Sequence, residues 1–505
     1  MAAPGKHTSM PAPVGGLNDR DSIVEMKPNE ALVLDNWWPY PTYCSIRKGR
    51  KPWVTGLPST VKTLMEYAPA SGNAKLLAVC SGNVYDVTSQ GVAGSPIHTG
   101  LTNDECQEAM MTTPGGSYLM FVNGTDKMHA YNGTTFTTPT VNSVDSATFV
   151  HVTLFKNRLF FAQKNSLKVF YLPVNSIGGQ ASELDLGAVF QHGGSVMAVY
   201  NWSIDAGDGV DDKFVVITTN GEIAVYAGTD PSSVNTWSLV GVFYVGAPIS
   251  RRCGVKYAGD LILNTLEGVF PLSSALLSAT VNRQNAITDK IQNSVSLAAG
   301  AYINNFGWQV CLYPDNNMLI LNIPAGNGAN FQYVQNTITG AWTKFTGWNA
   351  SVWLSVKDGL FYGDSNSVQK AWEGHLDNLS VITADVLPSF QYYGSLANNK
   401  YFTMVKPYLM STGAPSILYG LNADFVEADP EGEFNYEPPT GMVWGSMYWG
   451  QMKWGGSVQR ISGGWHTVGV VANAAALRLK VQNNGSDTRF MNWSVVYQPG
   501  GLLNY

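Results

Sequence analysis

Charge is scarce in this 505-residue chain: Asp, Glu, Lys and Arg together make up 13% of it, about half of the roughly 25% found in an average domain. The formal net charge of −6 argues against a general nucleic-acid binder, which needs a basic face to displace counterions. It leaves room for a conduit through which nucleic acid slides without sticking. Long apolar runs are missing too. Nowhere do about 18 uncharged apolar residues follow one another, as a membrane-spanning helix requires, and the opening MAAPGKHTSMPAPVGG has no apolar h-region. Neither a spanning helix nor secretion by that route is expected. The five cysteines, Cys44, Cys80, Cys106, Cys253 and Cys311, are odd in number and widely spaced, with no Cys-x-x-Cys pair. They read as small buried hydrophobes of a chain folded in a reducing cytoplasm, with no disulfide framework and no zinc site. The seven histidines form no His-x-x-x-His pair, and no Gly-x-x-x-x-Gly-Lys-Ser/Thr phosphate loop is present. No cofactor is expected.

What the chain has in quantity is glycine, 52 residues, and aromatic side chains, 12%, the composition of a β-rich and turn-rich protein. Few charges and many aromatics also suit a subunit largely covered by others, since interface cores are depleted of charge. From Asn336 to Asp364, NTITGAWTKFTGWNASVWLSVKDGLFYGD, alternating runs surround a Lys357-Asp358-Gly359 turn, the strongest short-range hairpin signal because glycine accepts the positive φ of the turn. Similar hairpins begin at Leu76, Leu119, Leu159, Phe214, Leu261, Val310 and Val352, at intervals of 43, 40, 55, 47, 49 and 42 residues. A four-stranded propeller blade occupies roughly 40 to 50 residues. One such sheet is hydrophobic on both faces, and stacking blades around an axis buries each face against a neighbour. Unrelated hairpins in a two-layer sandwich are the alternative.

The expected fold is all-β: a β-propeller of six or seven blades over 56–375 and a C-terminal β-sandwich-like domain over 376–505, with few short helices. The sandwich reading rests on runs such as VITADVLPSF, KYFTMVKPYLM, VGVVANAAALRLKVQ and FMNWSVVYQ, with strands from near the N-terminus as possible additions. Residues 1–55 read as an N-terminal arm, ordered only by a neighbour, followed by a short helix in PNEALVLDN from Pro28. A second short helix is expected over Ile287–Val295, where Ile287, Ile291 and Val295 fall on one side.

Contact residues stand out more than catalytic ones. Trp37-Trp38 before Pro39 reads as a packing plug, with subunit or partner contact as the other role. In the loop 442–456, MVWGS, MYWGQ and MKWGG put Trp444, Trp449 and Trp454 in register at a period of five. That period fits neither helix nor strand, and Trp is the favoured hot-spot residue of protein contacts. Arg251-Arg252 and the cluster from Arg47 to Lys51 read as solvated turns or inter-subunit contacts. Asp205, Asp208, Asp211 and Asp212 carry oxygen ligands with glycine turns, but their spacing is not that of an EF-hand, and a solvated acidic turn is the reading adopted. The Asn-x-Ser/Thr triplets at Asn123, Asn132 and Asn349 read as turn chemistry.

Gly15-Gly16-Leu17-Asn18, Met26 with Asn29-Glu30-Ala31, Leu34-Asp35-Asn36 and Arg47-Lys48-Gly49 resemble the opening of the tail nozzle proteins of short-tailed bacteriophages. These are also called tail tubular protein B or packaged-DNA stabilisation proteins. Thr339-Gly340-Ala341-Trp342-Thr343 followed by Gly359-Leu360-Phe361-Tyr362-Gly363 is similar to a later blade of that family. The resemblance implies a propeller core in a virion subunit assembled in the host bacterial cytoplasm. It implies a six-fold ring below the portal and adaptor, continuing the channel for double-stranded DNA, retaining the packaged genome and carrying fibres or spikes. No enzyme is expected. The competing class is a propeller that binds or hydrolyses host-surface glycans. Ser203-Ile204-Asp205-Ala206-Gly207 matches the start of a sialidase Asp-box, but Gly209 and Val210 stand where the box has Thr and an aromatic.

Overall fold

The computed structural model describes residues 5–205, 210–276, 283–436, 461–462 and 464–500. Seven antiparallel blades, I to VII, follow one another among the described residues, one for each repeated hairpin. Blade I is Thr63–Tyr67, Lys75–Cys80, Asn83–Asp86 and His98–Thr99. Blades II, III and IV begin at Gln107–Thr113, Phe149–Phe155 and Val196–Asp205. Blade V has three strands among the described residues, Gly254–Tyr257, Asp260–Thr265 and Gly268–Pro271. Blade VI runs from Gln309–Tyr313 to Trp342–Phe345. Blade VII is Val352–Val356, Gly359–Gly363 and Ser367–Ala371, and its fourth strand is Arg50–Thr55. An early segment thus completes the last blade, and blade VII packs on blade I to close the ring.

The period-2 pattern explains why the blades stack. In the second strand of blade I, Leu77 and Val79 pack with Leu119 and Phe121 of blade II, while Ala78 and Cys80 pack with Val352 and Phe361 of blade VII. One strand therefore serves two interblade cores, each fully buried aliphatic or aromatic side chain contributing about 1.5–3 kcal/mol. Polar side chains stitch the inner edges. Thr63 Oγ1 donates to the Asp104 carbonyl, Asn201 Nδ2 to Leu154, Ser250 Oγ to Trp308 and Ser351 Oγ to Val61. Gln309 and Trp353 exchange two bonds of 2.8 Å between blades VI and VII.

A sandwich grows out of blade VI. Its sheet continues from Trp342–Phe345 through Glu30–Asp35, Ile382–Pro388, Ala475–Asn483, Ser416–Ala423 and Gly432–Asn435. The facing sheet is built on Lys400–Ser411 and Thr488–Pro499, with Lys6–Pro11, His466–Ala472, Cys44–Ile46 and Trp37–Pro39 added. Phe402, Val405, Leu409 and Trp493 meet Ala384, Val386, Leu477 and Leu479 in a common core.

Two N-terminal expectations are corrected. PNEALVLDN is no helix: Glu30–Asp35 is a strand, because pairing with Ile382–Pro388 and packing of Ala31 and Leu34 into the sandwich outweigh local helix preference. The opening arm is ordered by its own chain, Lys6–Pro11 pairing antiparallel with Thr488–Pro499. The second helix does form, later than expected, as a 3₁₀ turn Asp289–Ile291 leading into Gln292–Tyr302. Ile291 and Val295 are buried, with Ile287 packed against the same cluster.

The propeller–sandwich seam is held by a buried ion pair. Arg47 donates from Nη1 to Asp377 Oδ1 at 3.0 Å and from Nη2 to Asp377 Oδ2 at 2.5 Å. Its Nε reaches Asn36 Oδ1, and its guanidinium lies 4.5 Å from the Trp348 ring centre. Next to it, a Cβ on Gly49 would fall 1.8 Å from the Leu376 carbonyl oxygen, so only glycine allows the two backbones this approach.

Candidate functional site

The blade architecture places one face of every inner strand on the propeller axis. A cavity of about 230 Å³ there is lined by Leu64, Glu108, His151, Tyr200, Gly254, Gln309 and Trp353, one residue from each blade. It is polar. Burial pushes the Glu108 carboxyl up to about 7, against the pull of Arg252. Burial pushes His151 down to about 3, and Arg251 and Arg252 add to the effect, as a site of positive potential requires. Tyr200 is held well above its usual range by burial. Its hydroxyl donates to the Arg251 carbonyl and accepts from the Gly254 amide, tying blade IV to blade V.

Above this cavity the axis opens into a mouth of about 350 Å³. Two kinds of loop build it: those leading into inner strands, which supply Asn103, Arg251, Arg252, Asn304 and Phe306, and those joining second to third strands, which supply Asn123 and Lys164. Arg252 is a structural staple at its base. Its Nη2 donates to the Lys62 carbonyl at 3.1 Å, to Thr63 Oγ1 at 2.9 Å and to the Cys106 carbonyl at 3.2 Å, joining blade V across the axis to blades I and II. Lys62 ion-pairs with Glu105 at 3.4 Å. Arg251 makes no side-chain hydrogen bond or ion pair among the described residues and faces the cavity.

The residues singled out in the sequence therefore separate. Arg251 and Arg252 share one mouth, where Arg252 is bonded within the chain through Nη2 and the Arg251 side chain is not. Trp37 and Trp38 are buried: Trp37 against Phe490, and Trp38 against Phe345 and Trp372. They are a packing plug, and their other role as a contact surface is corrected. Trp444, Trp449 and Trp454 lie outside the described residues, as does Asp208. Asp212 is engaged by Lys156 at 2.7 Å and by Ser203 Oγ at 2.6 Å. Among the described residues no three His, Cys, Asp or Glu side chains cluster as metal ligands, and no helix is long and apolar enough to cross a membrane. All five cysteines are buried and free.

Glu108, His151 and Tyr200 were not singled out from the sequence. Each is one polar residue in an otherwise ordinary strand, and only the closure of the ring puts them together. The legible signal was the polar side chain at an inward position of the first strand in blades II, III, IV and VI, which requires knowing where each blade begins. In blades I to V the repeated hairpin is the second and third strand, whereas in VI and VII it is the first and second.

No protein-family model matches the chain, and no curated protein matches it. Among solved structures, it is similar to the WD40 β-propeller domain of Doa1, with a TM-score of 0.39 and 10% identity, covering 66% of this chain and 97% of that one. It is also similar to BBS1N, solved in complex with ARL6DN and soaked with lead, with a TM-score of 0.31 and 14% identity, covering 46% of this chain and 75% of that one. These likenesses concern the fold alone: the chain is mostly β and propeller-like.

Proposed function

We propose that this protein is a structural subunit of a bacteriophage short tail, a nozzle whose copies form a ring, expected to be six-fold, below the portal and adaptor. The ring would continue the DNA channel, retain the packaged genome and let it pass at ejection, with fibres or spikes attached. The observation that carries the reading is the outermost strand of blade IV, Trp237–Tyr244, WSLVGVFY. Among the described residues it pairs with Glu222–Gly228 and no other strand, carries no charge, and leaves Leu239, Val240, Val242 and Tyr244 exposed by 44, 46, 37 and 42%. Natural sheets blunt such edges with Lys, Pro or a covering element. A long uncharged apolar edge is what a subunit keeps for a neighbour.

The motif residues that resemble the nozzle family add support. Though far apart in sequence, several of them meet at the propeller–sandwich seam. Space for a Cβ at Gly16 is taken by the Trp342 backbone at 2.6 Å. Thr343 Oγ1 donates to the Leu34 and Trp37 carbonyls, and Asn36 Nδ2 bonds Thr346 Oγ1 at 2.8 Å. The test is the mass and symmetry of the native assembly, by electron microscopy of particles alongside the purified chain. Six copies around a DNA-wide channel at the end of a tail are expected. A lone monomer or trimer away from any channel would sink the reading. Glycan binding or cleavage on the same propeller would then come first, and the polar mouth on the axis is the one observation favouring it.

A further inference from the structure

The axial mouth has a chemistry that neither closure of the ring nor assembly requires. Three cations, Lys164, Arg251 and Arg252, line it, and Glu105 is the one carboxylate that does. In a chain of net charge −6 this is a local reversal of sign. No carboxylate lies within ion-pair distance of Arg251 or Arg252 among the described residues. A guanidinium with no partner in its own chain is open to an anion, and arginine's planar fork suits a carboxylate. Beside them, the Gln107 and Asn304 side-chain amides face the same space with no hydrogen-bond partner among the described residues. Amides of this kind pair with hydroxyl groups, donating and accepting. The volume, about 350 Å³, exceeds what a bare ion fills and lies within the roughly 300–1,000 Å³ of small-molecule sites.

We propose that the mouth of the propeller axis binds an acidic sugar, its carboxylate on Arg251 and its hydroxyls on Gln107 and Asn304. Arg252 keeps its three bonds to blades I and II and contributes charge from below, and Lys164 does so from the rim. The site stands apart from the assembly reading: a monomer could have it, and a ring could lack it.

The test uses the full chain and titrates glucuronate and N-acetylneuraminate, with glucose, acetate and inorganic phosphate as controls, by calorimetry or ligand-observed NMR. Saturable binding of at least one acidic sugar is expected, weakening as salt rises and absent for glucose and acetate. Arg251→Gln should weaken it at least about tenfold, the worth of one charge-assisted hydrogen bond. Its melting temperature should stay unchanged, because Arg251 holds nothing else in place. Asn304→Ala should weaken binding less, and only for the sugar acids. No saturable binding, or binding untouched by Arg251→Gln, overturns the proposal. Phosphate or acetate binding as tightly as the sugar acids would mean a general anion site, and would overturn the sugar assignment.

Discussion

Arg47 shows what a single side chain does here. It is 1% exposed and bonded to Asp377 from both terminal nitrogens. Removing it leaves a carboxylate buried with no counter-charge, so Arg47→Ala should cost about 3–5 kcal/mol, read as a fall in melting temperature with propeller and sandwich loosening together. Glu108 gives a pH dependence. Between its unfolded value of 4.5 and its folded value of about 7, the native state holds a proton that the unfolded chain has lost. The stability it contributes is full below the lower value and drains away as pH rises to the upper one. His151 has the opposite sign: folded near 3 and unfolded at 6.5, it gains stability as pH rises. The two offset one another between about 4.5 and 6.5, with Arg251, Arg252 and Tyr200 as the facing groups. Glu108→Gln removes the falling slope, so its stability should climb more steeply than the parent's from pH 4.5 to 7. The difference should be on the order of 2–3 kcal/mol, measured by calorimetry across that range; parallel curves would show Glu108 to be ordinary. Little of this was legible, because burial on an axis is a property of seven strands at once. Local chemistry was legible: Asn123 and Asn132 do make turns, each Oδ1 accepting amides two and three residues on.

At the scale of elements, Arg50–Thr55 matters most. It pairs with Ser367–Ala371, and Val54 is buried in the core between blades VII and I. A fragment over 56–375, the propeller by its sequence boundaries, lacks this strand and leaves blade VII with an open edge. It should melt at a lower temperature and be cut faster by protease than a fragment over 48–375; equal behaviour would show the closing strand to be dispensable. Hairpins were readable because turn residues and alternation are local signals. The closing strand was not, since RKPWVT carries a proline and three polar or basic side chains, and its pairing spans over three hundred residues. Glu30–Asp35 was misjudged for the same reason: EALVLD has good helix formers, and the partner that decides for strand, Ile382–Pro388, lies far along the chain.

The whole molecule is one continuous fabric: blade VI and half of the sandwich share a sheet, so load on one is carried by backbone hydrogen bonds into the other. If copies join through Trp237–Tyr244, charge on that edge should block them. Val240→Lys with Val242→Lys should leave the monomer's melting temperature within about 0.5 kcal/mol equivalent, as for exposed sites generally. It should abolish rings in sedimentation and electron microscopy; intact rings would place the contact elsewhere. The pairing of Lys6–Pro11 with Thr488–Pro499 also sets a timetable. Translation at roughly 5–20 residues per second separates these two strands by about half a minute to well over a minute. Through that interval the first strand waits on the ribosome without its partner, and blade VII's fourth strand waits for Ser367–Ala371. The propeller ring can close once Ser367–Ala371 has emerged, whereas the sandwich waits for Thr488–Pro499, so the blade IV edge is formed and open to a neighbouring copy while the sandwich is still incomplete.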